Sequence, residues 1–61
     1  IADGQIEVLR RLCAGQANKT IAFELDLSEK TVKAHVTAIF KALNVVNRTQ
    51  AAAVAREVGL V

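Results

Sequence analysis

The chain lacks proline, tryptophan, tyrosine and methionine, and it has one cysteine, one histidine and two phenylalanines in 61 residues. Each scarcity excludes something. A single thiol cannot close an internal disulfide, and one Cys with one His cannot assemble a structural zinc site. That lone thiol fits a reducing cytoplasm. Without proline, and with three glycines, the chain has few places to break a helix. The shortage of aromatics removes the stacking surfaces on which sequence-specific RNA recognition usually depends. No apolar run approaches the roughly 20 residues needed to span a bilayer, and no signal peptide is visible.

The hydrophobic fraction is 52%, supplied mostly by Ala, Val, Leu and Ile. Chains of this length bury only about 60% of the surface their unfolded form exposes, so stability must come from well-packed helices, with dimerisation as a further source. The fold class expected is all-α, with four helices in a single domain over residues 1–61. Net charge is +2, and its placement says more than its size. Residues 1–17 balance, and residues 18–27 carry −1 from Lys19 against Glu24 and Asp26. Residues 28–48 carry +3, from Lys30, Lys33, Lys41 and Arg48 less Glu29, and residues 49–61 balance again.

The first helix is expected from about Gln5 to Ala14, with Val8, Leu9, Leu12 and Cys13 on one side. Glu7 and Arg11 make an exposed i,i+4 pair, Asp3 suits the cap, and Gly15 suits a left-handed stop. A short second helix follows over about Asn18 to Leu25, capped by Asn18, with Ile21, Ala22 and Leu25 inward. Asp26 and Leu27 form a tight turn, in which Asp26 tolerates left-handed backbone and Leu27 drops into the core. Ser28 caps the third helix, and Glu29 complements the positive end of its dipole. At about 100° per residue, Val32, Val36, Ile39 and Leu43 fall within roughly 40° of one line. Lys30, Ala34, Thr37 and Lys41 fall opposite, with Lys33 beside them and no acid among them. Asn44 stops that helix. Asn47 and Gln50 spell a capping box for a fourth helix that continues to about Val58 and stops at Gly59. Ala51, Ala52, Ala55 and Val58 can face the core. Gln50, Ala53, Val54 and Glu57 form a second stripe, small and half polar.

A short helix, a tight turn and a longer helix with one aliphatic and one cationic face form a DNA-binding helix-turn-helix pattern. The major groove of B-DNA is about 12 Å wide and admits one α-helix, whose exposed residues near its start reach base edges. Here those are Lys30, Lys33, Ala34 and Thr37. Lysine can donate to guanine acceptors, threonine can serve either role, and Ala34 can meet a thymine methyl. Asn18, Lys19, Thr31, Lys41 and Arg48 lie at the margins, where phosphate contacts belong. His35 sits at the edge of the apolar face and Cys13 on the apolar side of the first helix. With no second ligand or nucleophile at useful spacing, neither supports catalysis or metal binding, and no cofactor is implied.

Asn18-Lys19-x-Ile21-Ala22, then Leu25-x-Leu27-Ser28-x-x-Thr31-Val32-Lys33-x-His35, then Ile39 and Leu43, resemble the LuxR/FixJ-type helix-turn-helix. This is the output domain of NarL-like response regulators and quorum-sensing activators. Glu7-Val8-Leu9, Gly15, Val45 and Arg48-Thr49 also match, so the resemblance covers nearly the whole chain. It implies a third helix in the major groove, Lys33, Ala34 and Thr37 at base-contacting positions, and Lys30, Thr31 and Asn18-Lys19 at backbone-contacting ones. It implies homodimers through the fourth helix (Gln50, Ala53, Val54, Glu57) on inverted half-sites of double-stranded DNA. Contact with RNA polymerase and an N-terminal receiver or ligand-binding domain in a longer chain, cytoplasmic and without a membrane segment, are also implied. Ala2, Gly4, Thr20 and Ala42 depart from the family pattern; Ala2 and Gly4 suggest a loose start to the first helix. The rival expectation is a helical protein-interaction module that uses the fourth-helix stripe, its lysines merely solvated.

Overall fold

A computed structural model describes residues 3–60, which form four helices: α1 (Asp3–Cys13), α2 (Asn18–Leu25), α3 (Glu29–Leu43) and α4 (Arg48–Glu57). The backbones of α1 and α3 pack on each other and on both remaining helices, whereas α2 and α4 do not pack directly together. The core is the common ground of these contacts. It comprises Val8, Leu9 and Leu12 from α1, Ile21 and Ala22 from α2, Val32, Val36 and Ile39 from α3, and Ala51 and Ala55 from α4. Fully burying a Leu, Ile or Val contributes about 1.5–3 kcal/mol, so α1 and α3 supply most of the apolar stabilisation. α4 buries fully only two alanines. It can lie close to α1, but is held with little apolar area.

All four helices end alike, through one residue in left-handed backbone followed by an N–H that reaches back five residues. Among the described residues, Gly15 (φ 88°), Asp26 (φ 57°), Asn44 (φ 57°) and Gly59 (φ 77°) are the four left-handed ones. The bonds that follow them are Gln16 N to Arg11 O (3.1 Å), Leu27 N to Ala22 O (2.8 Å), Val45 N to Phe40 O (2.9 Å) and Leu60 N to Ala55 O (2.8 Å). This is the Schellman arrangement, which satisfies terminal carbonyls that would otherwise lack partners. Asp and Asn tolerate left-handed backbone better than other side-chain-bearing residues, which explains Asp26 and Asn44.

Several sequence expectations are corrected. The first helix begins at Asp3 rather than Gln5, so Asp3 lies in the first turn and does not cap it. Gly4 lies within that helix, and the departure expected at Ala2 falls outside the described residues. Asn18 is the first residue of α2, whose cap is Ala17 with no side-chain bond. Leu27 remains 37% exposed: its main-chain N–H closes the turn, and its side chain stays at the rim. Val58 is 62% exposed because α4 ends at Glu57 and the chain reverses at Gly59. Leu60 packs on the core in its place, while Ala52 and Leu43 are half-buried. The capping box at Asn47 is half formed as expected. Asn47 Oδ1 accepts from Gln50 N at 2.8 Å, but Gln50 Oε1 accepts from Val46 N at 3.0 Å rather than from Asn47.

Candidate nucleic-acid interface

The turn that presents α3 is fixed at both sides. Asp26 turns the chain in left-handed backbone, and Ser28 starts α3 by accepting from Thr31 N at 3.0 Å. The Ser28 and Thr31 hydroxyls lie 2.8 Å apart and share a hydrogen bond. Losing a serine cap of this kind costs about 1 kcal/mol. Val32, Val36 and Ile39 anchor one side of α3 in the core. The other side is thereby turned outward, and Lys30, Lys33, Ala34, Thr37 and Lys41 are all exposed. About 100° of helix circumference holds these five side chains. Thr37 Oγ1 donates to the carbonyl of Lys33, one turn earlier, at 2.9 Å.

Six of the eight cations of this protein divide into two groups. Arg10 pairs with Glu7 at 3.2 Å, and Arg11 pairs with Glu7 at 3.9 Å and more closely with Glu24 of α2. Gln16 also donates to Glu24, at 3.3 Å. α1 is therefore electrostatically closed against α2. By contrast, among the described residues no ion pair engages Lys19, Lys30, Lys33 or Lys41. Glu29 is the only acid in α3, and it sits at the positive end of the helix. The free lysines are thus concentrated on one outward face with its α2 margin, while Arg56 of α4, beside the Cys13 cleft, is also outside any ion pair among the described residues.

Arg48 stands apart from both groups. From the first residue of α4 its guanidinium donates to Gln16 O at 2.9 Å and, more closely, to Asn18 Oδ1. These bonds join the N-terminus of α4 to the α1–α2 loop and to the start of α2, two helices that otherwise do not pack together. Both acceptors are neutral, so the positive charge is retained. Asn18 thus does not cap α2: it lies within the helix behind the cap position at Ala17, and its carboxamide oxygen accepts from a residue 30 positions away.

The other candidates are placed as follows. Lys19 and Thr31 are exposed, and Asn18 is half-buried. On α4, Gln50, Ala53 and Glu57 are exposed and Val54 is half-buried. His35 is half-buried at the edge of the α3 core side. Burial pushes the Cys13 thiol above its usual pKa against the opposing pull of Arg56, which leaves it a protonated packing residue at neutral pH. An open cleft of about 400 Å³ separates the end of α1 from α4, lined by Leu12, Cys13, Ala52 and Arg56 among others. It shares only Arg48 with the charged margin. Sequence reasoning missed Phe23, 87% exposed on α2. The signal was present, since Phe23 lies about 200° around the helix from the inward Ile21. Among the described residues, no helix is long and apolar enough to cross a membrane.

Known proteins resemble this chain in sequence and in fold. Residues 3–55 match the bacterial regulatory proteins, luxR family. The glycerol metabolism activator of Pseudomonas putida is 57% identical over 47 residues, 77% of this chain and 21% of that protein. The transcriptional regulatory protein LiaR of Bacillus subtilis (strain 168) is 44% identical over 57 residues, 93% of this chain and 27% of that protein. Among solved structures, the response regulator ChrA of a heme-sensing two-component system superposes with a TM-score of 0.94 at 40% identity. That match covers 98% of this chain and 30% of ChrA. The chain thus spans less than a third of each of these relatives. With four helices, a capped helix-turn-helix and a family match over most of its length, the chain belongs to the luxR family of bacterial regulatory proteins.

Proposed function

We propose that this domain binds double-stranded DNA sequence-specifically to regulate transcription, with α3 in the major groove. Lys33, Ala34 and Thr37 face base edges, with Lys30 at the entry to the groove. Asn18, Lys19, Thr31, Lys41 and Arg48 meet phosphates, and Lys30 does so as well from the groove entry. The observation that carries the reading is the division of cations. The arginines of α1 are paired with acids, while the lysines of α3 are exposed and unpaired on one face. Unpaired lysines gain most from a polyanion, because each phosphate contact releases condensed counterions.

The domain is further proposed to be the C-terminal output module of a longer two-component response regulator, with a receiver domain preceding it. Names of relatives support this: LiaR is called a transcriptional regulatory protein and ChrA a response regulator. Pairing of two copies through Gln50, Ala53, Val54 and Glu57 of α4 would match inverted half-sites. RNA polymerase is the partner proposed for the bound complex. Selection of duplexes from a random-sequence library, read by sequencing, tests the reading and yields the half-site and its spacing together. Enrichment of one inverted motif is the expected result. A folded sample that enriches nothing and binds no duplex at low salt would favour the protein-interaction alternative.

A further inference from the structure

We propose that Thr37 reads DNA through its methyl group, and that together with Ala34 it makes α3 selective for a thymine flanked by cation-contacted base pairs. This rests on α3 being the groove-facing helix. The observation is the bond from Thr37 Oγ1 to the Lys33 carbonyl, 2.9 Å long. A hydroxyl has one proton to donate. With that proton committed to its own helix, Thr37 has none to offer to guanine N7 or O6, to adenine N7 or to thymine O4. Cβ of threonine carries two heavy branches, Oγ1 and Cγ2. Oγ1 is held against the backbone, so Cγ2 is the branch free of it.

Ala34 lies three residues earlier, about 60° around the helix and about 4.5 Å along it. Its only side-chain atom is a methyl carbon, and both residues are exposed. The face therefore has an apolar centre of two methyl groups. Lys30 stands one turn before Ala34, Lys33 beside it, and Lys41 one turn beyond Thr37. In the major groove one base edge alone carries an apolar group, the 5-methyl of thymine. A surface of cations around two methyls is complementary to a thymine next to guanine acceptors and phosphates.

Two substitutions and one change in the DNA separate methyl reading from hydroxyl reading. The probe is a labelled duplex of the motif selected from the random library, and the same duplex with deoxyuridine in place of each thymine in turn. Deoxyuridine lacks only the methyl. Wild type is expected to lose about three- to fivefold in affinity at one thymine per half-site, the equivalent of one buried methyl. T37V keeps the methyl shape and removes the hydroxyl. It is expected to retain the thymine preference. T37S keeps the hydroxyl and removes the methyl, and is expected to narrow the difference between thymine and deoxyuridine duplexes to the part that Ala34 supplies. Circular dichroism of both variants, at an exposed helical position, checks folding. The proposal is overturned if T37V loses discrimination while T37S keeps it, or if no thymine shows a deoxyuridine effect. Binding that still depends on Lys33 in that case leaves the DNA-binding reading intact. Failure of the wild type to bind any duplex overturns both.

Discussion

Replacing Arg48 is the perturbation for which the structure gives the sharpest expectation. α4 buries only Ala51 and Ala55 fully, so apolar area holds it weakly. Its attachment depends on the Asn47 cap, the Leu60 contact and the two Arg48 bonds across to Gln16 and Asn18. Net stabilisation by one hydrogen bond is about 0.5–1.5 kcal/mol, larger for a charged donor. Arg48 is exposed, and water can replace it at both acceptors, so the lower end applies: about 1 kcal/mol for the pair, after discounting for solvent. A domain of this size loses about 4–8 °C in Tm per kcal/mol. R48A should therefore melt about 4–8 °C lower by far-ultraviolet circular dichroism. R48K keeps the charge, but a single ammonium lacks the planar fork that spans two acceptors. It should melt close to R48A while keeping the dependence of DNA affinity on salt, which R48A should reduce by about 0.9 in log–log slope. Unchanged Tm in R48A would refute the clasp. Full recovery of Tm by R48K would show that charge matters rather than the two-pronged geometry.

Three further outcomes follow from the same contacts. K33A should cost about 1–3 kcal/mol in binding and relax preference at one base pair, whereas K41A should weaken all sequences alike. Binding curves on the selected motif and its single-base variants separate the two. S28A removes the bond to Thr31 N that starts α3 and should destabilise the domain by about 1 kcal/mol, read by denaturant unfolding. Cys13 alkylation, followed against pH, should reach half its maximal rate above the pH typical of a free thiol, because burial raises the thiol pKa. Denaturant should restore ordinary reactivity, and a half-maximum at or below the usual thiol value would contradict the assigned environment.

Local chemistry explains what could be read in advance. Ser28, Asp26 and Asn44 act on backbone groups within a few residues of themselves, so their roles were visible in the sequence. The same is true of the Val32, Val36 and Ile39 line, which helical period alone defines. What was not legible depends on residues far apart in the chain. Asn18 has the chemistry of a cap, but it lies within α2, and its oxygen accepts from Arg48, 30 positions away. Arg11 has Glu7 within reach on its own helix, yet its closer partner is Glu24 on α2. Val58 continues the apolar period of α4, but the helix ends before it and Leu60 fills that place after the turn. The same limit applies to the cationic face. Its side chains and the Glu7–Arg11 pair could be named from the sequence, but that Glu24 of α2 also holds Arg11 while α3's lysines stay unpaired required the fold.

Central to the account is the claim that the free lysines of α3 and its margin meet phosphates. Affinity for duplex DNA measured by fluorescence anisotropy across a range of salt concentrations tests it most directly. With Lys19, Lys30, Lys41 and Arg48 contributing, the slope of log K against log salt should be about −3 to −4 per chain, and each lysine-to-alanine change should reduce its magnitude by about 0.9. A folded protein that binds no duplex at low salt, or whose slope is unmoved by removing Lys30 and Lys41 together, would contradict it.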